Sequence, residues 1–231
     1  REGKVGNWIV LATSQSAGRG RRGRQWLSPK NAGIYISLVR LFEVNADALQ
    51  ALSLVTALSL RQALAKLGIN DLSLKWPNDI LHHKKKLAGI LLELQQSADH
   101  CHVVFGVGIN IALPEGAIEK IDRAVTDIAA ICKEQDPTSS IPDSNRIIAE
   151  LVNEMSANLE KYLDQGFVPF QALWNQADCY LDCDIVIENS SSRTIGKSLG
   201  VDESGGLILQ SANGTKSVHG GEIFPSVHEL P

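Results

Sequence analysis

The stretch Gly18-Arg19-Gly20-Arg21-Arg22-Gly23-Arg24-Gln25-Trp26 combines four arginines and three glycines with an aromatic residue. Glycine lets the backbone adopt conformations that a Cβ forbids, and it lets the chain approach a ligand closely. Arginine presents a planar fork of donors that matches phosphate or carboxylate, and tryptophan presents a flat face for stacking. The stretch therefore predicts a site for a ligand with an anionic and a flat part, such as a nucleotide or a nucleic-acid strand.

The composition of the whole chain narrows these choices. Its 231 residues are 44% hydrophobic, which is enough for one large core with or without a small second domain. The formal net charge of −4 makes the arginine stretch a local positive island and argues against a broad nucleic-acid-binding face. The four cysteines form no Cys-x-x-Cys motif, which predicts a reducing cytoplasmic location without disulfides or zinc. No run of about 18 apolar residues is present, so we expect no membrane-spanning helix.

The segments around the arginine stretch alternate between apolar runs and turns. Residues 8–12 predict a buried strand before it, and residues 34–39 predict a second strand after it. A long connection between two strands is typical of a functional loop. Residues 46–67 predict a helix ended by Gly68. Further strands are predicted at 72–76, 80–83, 87–94 and 103–111, with Lys84 to Lys86 at a hairpin tip.

The second half of the chain changes character near residue 179. Asp143 or Ser144 can cap a helix that reaches about residue 163 and ends at Gly166, and residues 168–175 predict another helix. After residue 179, short β runs alternate with turn clusters, which is typical of a small β-barrel. We therefore predict an α+β fold: a mixed, largely antiparallel sheet with helices on one face, followed by a small C-terminal β-barrel domain. The predicted domains are 1–177 and 178–231.

Two polar motifs allow both structural and functional interpretations. Lys75-Trp76-Pro77-Asn78-Asp79 satisfies turn chemistry, but it could equally place Asp79 at a ligand hydroxyl or metal and Lys75 near a phosphate. The lysine run 84–86 is by default a solvated hairpin tip, although one lysine could point inward.

Three further features carry weaker signals. Gly106 to Asn110 either eases packing or lets the Asn110 amide read a base edge. His82 and His83 are interpreted as surface residues rather than a metal site, since no third ligand is in register. We therefore predict no protein metal ligands.

Taken together, the motifs resemble the biotin protein ligases. The arginine stretch with Trp26, the Lys75 to Asp79 motif, Lys86-Leu87-Ala88-Gly89-Ile90-Leu91, and Gly108-Ile109-Asn110 occur in that family's order and spacing. Gly220-Gly221-Glu222-Ile223 closes the match. Several independent motifs in one order make the resemblance specific, and it covers about residues 3–231.

The resemblance implies a two-step ligase. Biotin and ATP give biotinyl-5′-AMP and pyrophosphate, and the biotinyl group then passes to a carrier lysine. It implies catalytic roles for Arg21 and Lys86. The implied biotin-binding residues are Gln15, Gly18, Arg19, Gly20, Arg21, Lys86 and Gly89. The implied nucleotide-binding residues are Arg22, Arg24, Trp26, Lys75, Asn78, Asp79 and Asn110, with Trp26 covering the adenine and Asn110 reading it.

The resemblance also implies partners and cofactors. ATP would act with Mg²⁺, and the acceptor would be the biotin carboxyl carrier domain of a carboxylase, above all acetyl-CoA carboxylase. A homodimer is compatible with the family, and we expect no DNA or membrane partner. The family's upstream Ser-Thr-Asn segment and the winged helix-turn-helix of its bifunctional members have no counterpart here. Two alternatives stay open: a lipoate-protein ligase, or a non-catalytic RNA-binding module that uses the arginine stretch.

Overall fold

The computed structural model describes residues 7–98, 100–189 and 192–224. The ends of the predicted family match, and part of the predicted turn cluster at 188–192, lie outside these residues. The described chain contains two sheets and five α-helices. The predicted α+β architecture with a C-terminal β unit is confirmed.

The first sheet contains six strands in the order β1-β2-β6-β5-β4-β3, and every neighbouring pair is antiparallel. Its strands are β1 (Trp8–Ala12), β2 (Gly33–Phe42), β3 (Leu72–Lys75), β4 (Asp79–His82), β5 (Lys85–Gln96) and β6 (Cys101–Asn110). Hairpins join β3 to β4, β4 to β5 and β5 to β6. This connectivity agrees with the alternation of apolar runs and turns in the sequence.

Strand β1 lies where the sequence predicts it, but the prediction that it is buried is wrong. All five of its residues are exposed. It is the edge strand of the sheet, and among the described strands it pairs only with β2, where Trp8 lies opposite Val39. A period-2 pattern shows which faces a strand presents, whereas its place at the edge depends on the sheet order.

The helices are α1 (Leu52–Lys66), α2 (Glu115–Ile118), α3 (Ile128–Gln135), α4 (Ser144–Gln165) and α5 (Val168–Ala177). Helix α1 follows a 3₁₀ turn at Ala46–Leu49 and packs on α4 and on β5. By length and composition, the segment Ala46–Lys66 could cross a membrane: one of its 18-residue windows has a mean hydropathy of 1.2, yet 67% of that window is buried inside the protein. It therefore serves as the core helix.

Helix α4 shows local sequence determining a boundary. The Asp143 carboxylate accepts a hydrogen bond from the Asn145 backbone N–H at 2.8 Å, and Gly166 follows the last turn with a φ of 66°. The apolar side chains of its inner face are buried at Ile147, Leu151, Met155, Leu159 and Tyr162. The predicted cap and stop are both confirmed. Helices α2 and α3, in contrast, lie in a region where the sequence signals were weak.

The second sheet contains β7 (Asp184–Glu188), β8 (Arg193–Val201), β9 (Leu207–Ser211), β10 (Gly214–Val218) and β11 (Glu222–Phe224). The order is β10-β9-β8-β7-β11, again antiparallel throughout. Its inward residues, such as Ile185 and Leu209, belong to the same hydrophobic cluster as α1 and the first sheet. The domain boundary at residues 177 and 178 remains a prediction.

Candidate functional site

A cleft of about 580 Å³ lies against β2, β5 and β6 and is closed at one side by Glu222 of β11. Eight basic and four acidic side chains line it, so the cleft is positive although the chain is negative. All the predicted site residues except Gly18 line this cleft. Gly18 packs behind it, where a Cβ would lie 2.4 Å from the Trp26 carbonyl oxygen.

The basic loop (residues 18–26) folds as a small hairpin of its own. The Gly20 N–H donates to the Arg24 carbonyl oxygen at 2.7 Å, and the Trp26 N–H donates to that of Gly18 at 2.9 Å. At the turn, Arg22 and Gly23 have φ angles of 56° and 72°. Consecutive left-handed residues reverse the chain sharply, and only glycine adopts this region without strain. The turn therefore directs several arginines of the loop toward the cleft.

Trp26 lies on a floor made of two glycines. Gly89 on β5 and Gly108 on β6 are cross-strand partners. A Cβ at Gly108 would lie 2.6 Å from Trp26 Cε2, and one at Gly89 would lie 2.9 Å from Cζ3. The missing methyl groups therefore create the space for a flat ring. The Trp26 Nε1 is buried without a hydrogen-bond partner among the described residues.

Lys86 is the lysine of the 84–86 run that points inward. Its Nζ lies 2.7 Å from Asp79 Oδ1 and 5.3 Å from the centroid of the Trp26 ring. The two side chains are only 15% and 16% exposed. The predicted hairpin tip was misplaced, because the turn is at His83 and Lys84 and both Lys85 and Lys86 belong to β5.

The backbone of Lys86 is held from its other side. Its N–H donates to the Ala124 carbonyl oxygen at 2.9 Å, and its own carbonyl accepts from the Thr126 N–H at 3.0 Å. The Asn110 amide donates to the Thr126 carbonyl oxygen at 3.0 Å. Residues 124–126 thus run beside the start of β5, and they fix the direction in which Lys86 enters the cleft.

Arg21 joins three parts of the molecule. From the basic loop, its Nη1 lies 3.4 Å from Asn78 Oδ1 and 3.3 Å from the carbonyl oxygen of Gly221, which directly precedes β11. Burial lowers the pKa of this guanidinium from its ordinary value, although the Asp79 charge opposes that effect. The pKa of Lys75 is also lowered, chiefly by burial. Such desolvated cations gain strongly from an arriving anion.

Glu222 fastens the basic loop to the second sheet. Both of its carboxylate oxygens accept from Arg24, with Oε2 2.7 Å from Nη2, and Arg22 Nη1 lies 3.6 Å away. Arg22 also donates to the Glu188 carbonyl oxygen at 2.8 Å. Burial alone would raise the pKa of the Glu222 carboxyl, but the hydrogen bond and charge of Arg24 lower it. The carboxylate is therefore held ionised between the two arginines.

Sequence reasoning missed one wall of the cleft. Lys120, Ile121, Asp122, Arg123 and Val125 line it, as does Glu222. Glu222 lies within the quoted Gly-Gly-Glu-Ile motif, but nothing in that motif indicates its arginine partners. The Lys120 to Val125 segment mixes both charges without a pattern. These contacts arise only from the tertiary fold.

The interpretation of His82 as a surface residue is wrong. His82 ends β4 and is only 3% exposed, and one of its ring nitrogens lies within 4.8 Å of the Glu134 carboxylate of α3. His83 is exposed, as expected. Burial lowers the pKa of the His82 imidazole, with a further contribution from the neighbouring His83.

Two family models match the chain. Residues 2–110 match the "Biotin/lipoate A/B protein ligase family", and residues 187–224 match the "Biotin protein ligase C terminal domain". The first match contains the basic loop, the glycine floor and Lys86. The second contains Glu222.

Individual relatives agree with these matches. The chain is 34% identical to a biotin–[acetyl-CoA-carboxylase] ligase of Paracoccus denitrificans, covering 96% of this chain and 92% of the relative. It is also 34% identical to the bifunctional ligase/repressor BirA of Escherichia coli, of which it spans 64%. Its fold is similar to the biotin protein ligase of Aquifex aeolicus in complex with biotin and ATP. That similarity has a TM-score of 0.76 and 30% identity, with 94% of this chain and 87% of the other covered.

Proposed function

The chain belongs to the biotin protein ligase family, and we propose from this premise that it joins biotin to a protein in an ATP-dependent reaction. In the first step, the biotin carboxylate attacks the α-phosphate of ATP, giving biotinyl-5′-AMP and releasing pyrophosphate. In the second step, a lysine amine of a biotin carboxyl carrier domain attacks the acyl carbon. An amide forms, AMP leaves and the amine loses a proton. The carrier is that of a biotin-dependent carboxylase, in the first place acetyl-CoA carboxylase.

One observation carries the proposal: a cationic cluster and a flat aromatic face meet in a single cleft. Arg21, Lys86 and Trp26 all line this cleft, and the Trp26 ring lies on its glycine floor with its centroid 5.3 Å from the Lys86 Nζ. A carboxylate that reacts with a polyphosphate brings two anions together, and more charge develops on the phosphate oxygens. Preorganised cations stabilise that charge, which is electrostatic catalysis rather than acid–base catalysis.

The Asp79 contact gives Lys86 a fixed direction. An unpaired lysine samples many rotamers, whereas the 2.7 Å ion pair holds the ammonium at one place in the cleft. Arg21 supplies a second cation whose partial burial favours an anionic ligand over water. We assign these two residues to the reacting carboxylate and phosphate.

The remaining predicted residues divide between the two substrates. On the biotin side we place Gln15, Arg19, Gly20 and Gly89, with Gly18 as support behind them. On the nucleotide side we place Arg22, Arg24, Lys75, Asn78 and Asp79, with Trp26 covering the base. Because the Asn110 Nδ2 is engaged with the Thr126 carbonyl oxygen, its Oδ1 is the atom that would accept from the adenine amino group.

Mg²⁺ enters the proposal as the counter-ion of ATP. The four carboxylates that line the cleft each contact a cationic side chain: Arg19 with Glu93, Arg24 with Glu222, Lys86 with Asp79, and Arg123 with Asp122. This donor set does not form a protein cage for the ion. Phosphate oxygens and water would therefore supply its ligands, as is usual for this hard cation.

The test is to incubate the protein with biotin, ATP and Mg²⁺, with and without a biotin carboxyl carrier domain. We expect biotinyl-5′-AMP and pyrophosphate without the carrier, and a biotinylated carrier lysine with it. Mass spectrometry identifies both products. Absence of both the adenylate and transfer would overturn the proposal.

A competition with lipoate separates the alternative ligase. Preferential lipoyl transfer would reassign the substrate within the same chemistry. Salt-sensitive retention on single-stranded RNA, without adenylate formation, would instead favour the binding module.

A further inference from the structure

Outside the cleft, three side chains that can bind metal converge at the far end of the β4–β5 hairpin. They are His82 at the end of β4, His83 in the turn and Glu134 near the end of α3. One ligand atom from each lies within 4.8 Å of the other two. No other group of three such residues was found among residues 7–98, 100–189 and 192–224.

The hairpin turn creates this arrangement. Successive residues of a strand normally project to opposite faces, so adjacent histidines would point apart. Here His83 and Lys84 have φ angles of 47° and 63°, a left-handed pair that reverses the chain. As a result, the two imidazole rings lie on one side, with centroids 4.1 Å apart. A non-glycine residue rarely adopts this conformation, and a conformation of this kind is often retained at a functional site.

Helix α3 supplies the third ligand from a distant part of the sequence. Glu134 Oε1 lies 3.3 Å from His83 Nε2. Tetrahedral zinc with bonds of about 2.0–2.1 Å places neighbouring ligand atoms roughly 3.3 Å apart. The His83–Glu134 pair already has this separation, and a ligand atom of His82 lies within 4.8 Å of both.

We propose that His82, His83 and Glu134 form a binding site for a divalent transition metal ion of the zinc class. Two imidazoles and one carboxylate are a ligand set that suits Zn²⁺ or Co²⁺, with water in the fourth position. His83 and Glu134 are 62% and 59% exposed, so an ion can enter from solvent, whereas the buried His82 provides a fixed base.

The site would fasten the hairpin to α3. Lys86 lies three residues after His83 in the chain. Its backbone is hydrogen-bonded to residues 124–126, and these residues lead directly into α3. A metal at the hairpin tip would thus hold together two segments that position Lys86. The ion lies on the tip and is not a participant in the reaction proposed for the cleft.

The test is titration of the full chain with Zn²⁺ alone by calorimetry, and with Co²⁺ alone by visible absorption. We expect one site, with the intense visible bands of tetrahedral Co²⁺. Glu134→Gln keeps the shape and removes the charge. His83→Asn removes the imidazole while keeping a residue that tolerates a positive φ. Each should weaken binding about tenfold or more.

Two matched control variants test whether Zn²⁺ binds instead at another histidine or at an exposed cysteine. His102→Ala removes a histidine whose ring also lies near another, 5.3 Å from His100. Cys183→Ser removes an exposed thiol. Both should bind Zn²⁺ as the unchanged chain does, and melting without metal verifies that all four variants fold.

No binding by the unchanged chain would overturn the proposal. So would equal binding by the unchanged chain and both site variants, or loss of binding only in a control. These readouts use metal alone, so they are independent of whether the chain joins biotin to a carrier.

Discussion

The basic loop and the β4–β5 hairpin both direct cations into the same cleft, but they hold them in different ways. On the hairpin, Lys86 and Asp79 are about 85% buried and stand on paired strands. In the basic loop, Arg24 is 40% exposed and Arg19 is 70% exposed, and their carboxylate partners lie on other elements. The hairpin thus provides a fixed charge, and the loop provides adjustable ones.

This difference matters because the same ion pair has different strength in the two settings. Solvent screens exposed pairs, which contribute about 0.2–1 kcal/mol, whereas buried charges interact strongly and are costly to leave alone. A ligand can therefore replace the loop's contacts at little cost. Breaking the largely buried hairpin pair would cost more than breaking the loop's exposed contacts.

The most severe change breaks the hairpin pair. Lys86→Met removes a preorganised cation, and we expect adenylate formation to fall roughly 10³-fold. It also leaves Asp79 without its ammonium partner, at a stability cost on the order of 3 kcal/mol. Pyrophosphate release and chemical denaturation measure the two effects.

The double variant Asp79→Asn with Lys86→Met separates these effects. It should recover stability without recovering activity, because the cation is still missing. Recovery of activity would mean that Lys86 only neutralises the charge of Asp79 and does not itself stabilise the reacting anions.

A second buried carboxyl, that of Asp178, tests how much an unpaired buried charge costs in stability. Asp178, beside β3, has a pKa raised by burial from 3.8 to about 6, and its Oδ2 is buried without a partner among the described residues. The folded state binds this proton more tightly than the unfolded chain. Stability therefore falls as the pH rises from about 4 to about 6, by up to about 3 kcal/mol.

Asp178→Asn should remove this loss. The variant should be more stable than the unchanged chain at pH 8, and the difference should disappear below pH 4. Thermal melting across this range measures it. Asp184→Asn, at an exposed position on β7, serves as the control. A constant difference at every pH would contradict the assignment.

Arg21 joins the two regions, and its loss tests whether the loop closes over the intermediate. Arg21→Ala removes the contacts with Asn78 and the Gly221 carbonyl. We expect added biotinyl-5′-AMP to dissociate about tenfold faster, because the loop no longer excludes water and ligand exchange. Arg40→Ala, on β2 outside the cleft, is the matched control. An unchanged dissociation rate would contradict the closing role.

The smallest effect on stability is expected for the exposed charges of the basic loop. Glu222→Gln weakens the partly exposed pairs with Arg22 and Arg24, and it should lower the free energy of unfolding by less than about 1 kcal/mol. Hydrogen exchange at the Gly20 and Trp26 amides should nevertheless accelerate. Asp182→Asn breaks an exposed pair with Lys197 and should leave these amides unchanged. A loss of several kcal/mol would mean that the loop is as fixed as the hairpin.

Local signals in the sequence were sufficient for the elements that local chemistry determines. Asp143 and Gly166 delimit α4, because a cap and a left-handed stop act within a few residues. The apolar runs correctly indicated strands β2 to β6. The basic loop was recognised because glycine and arginine are unusual together between two strands.

The missed features depend on distant contacts. Arg24 and Glu222 are 198 positions apart, and no local pattern encodes their pairing. Whether Lys86 points inward depends on the His83–Lys84 turn, and the exposure of β1 depends on sheet order. The buried His82 lies near Glu134 of α3, in a region whose helices were not predicted. The order and spacing of the motifs in the sequence were sufficient to identify the residues of the site, whereas the tertiary fold determines which of them are in contact.

The glycine pair beneath Trp26 also limits how this cleft can change. Every substitution at Gly89 or Gly108 adds at least a methyl group, so mutation there can only make the cleft shallower. An enzyme redesigned for bulkier biotin analogues must therefore gain its space from the basic loop or from residues 120–125. Substitutions that enlarge the cleft can therefore occur only in its other walls, because the two floor positions already carry glycine, the smallest residue.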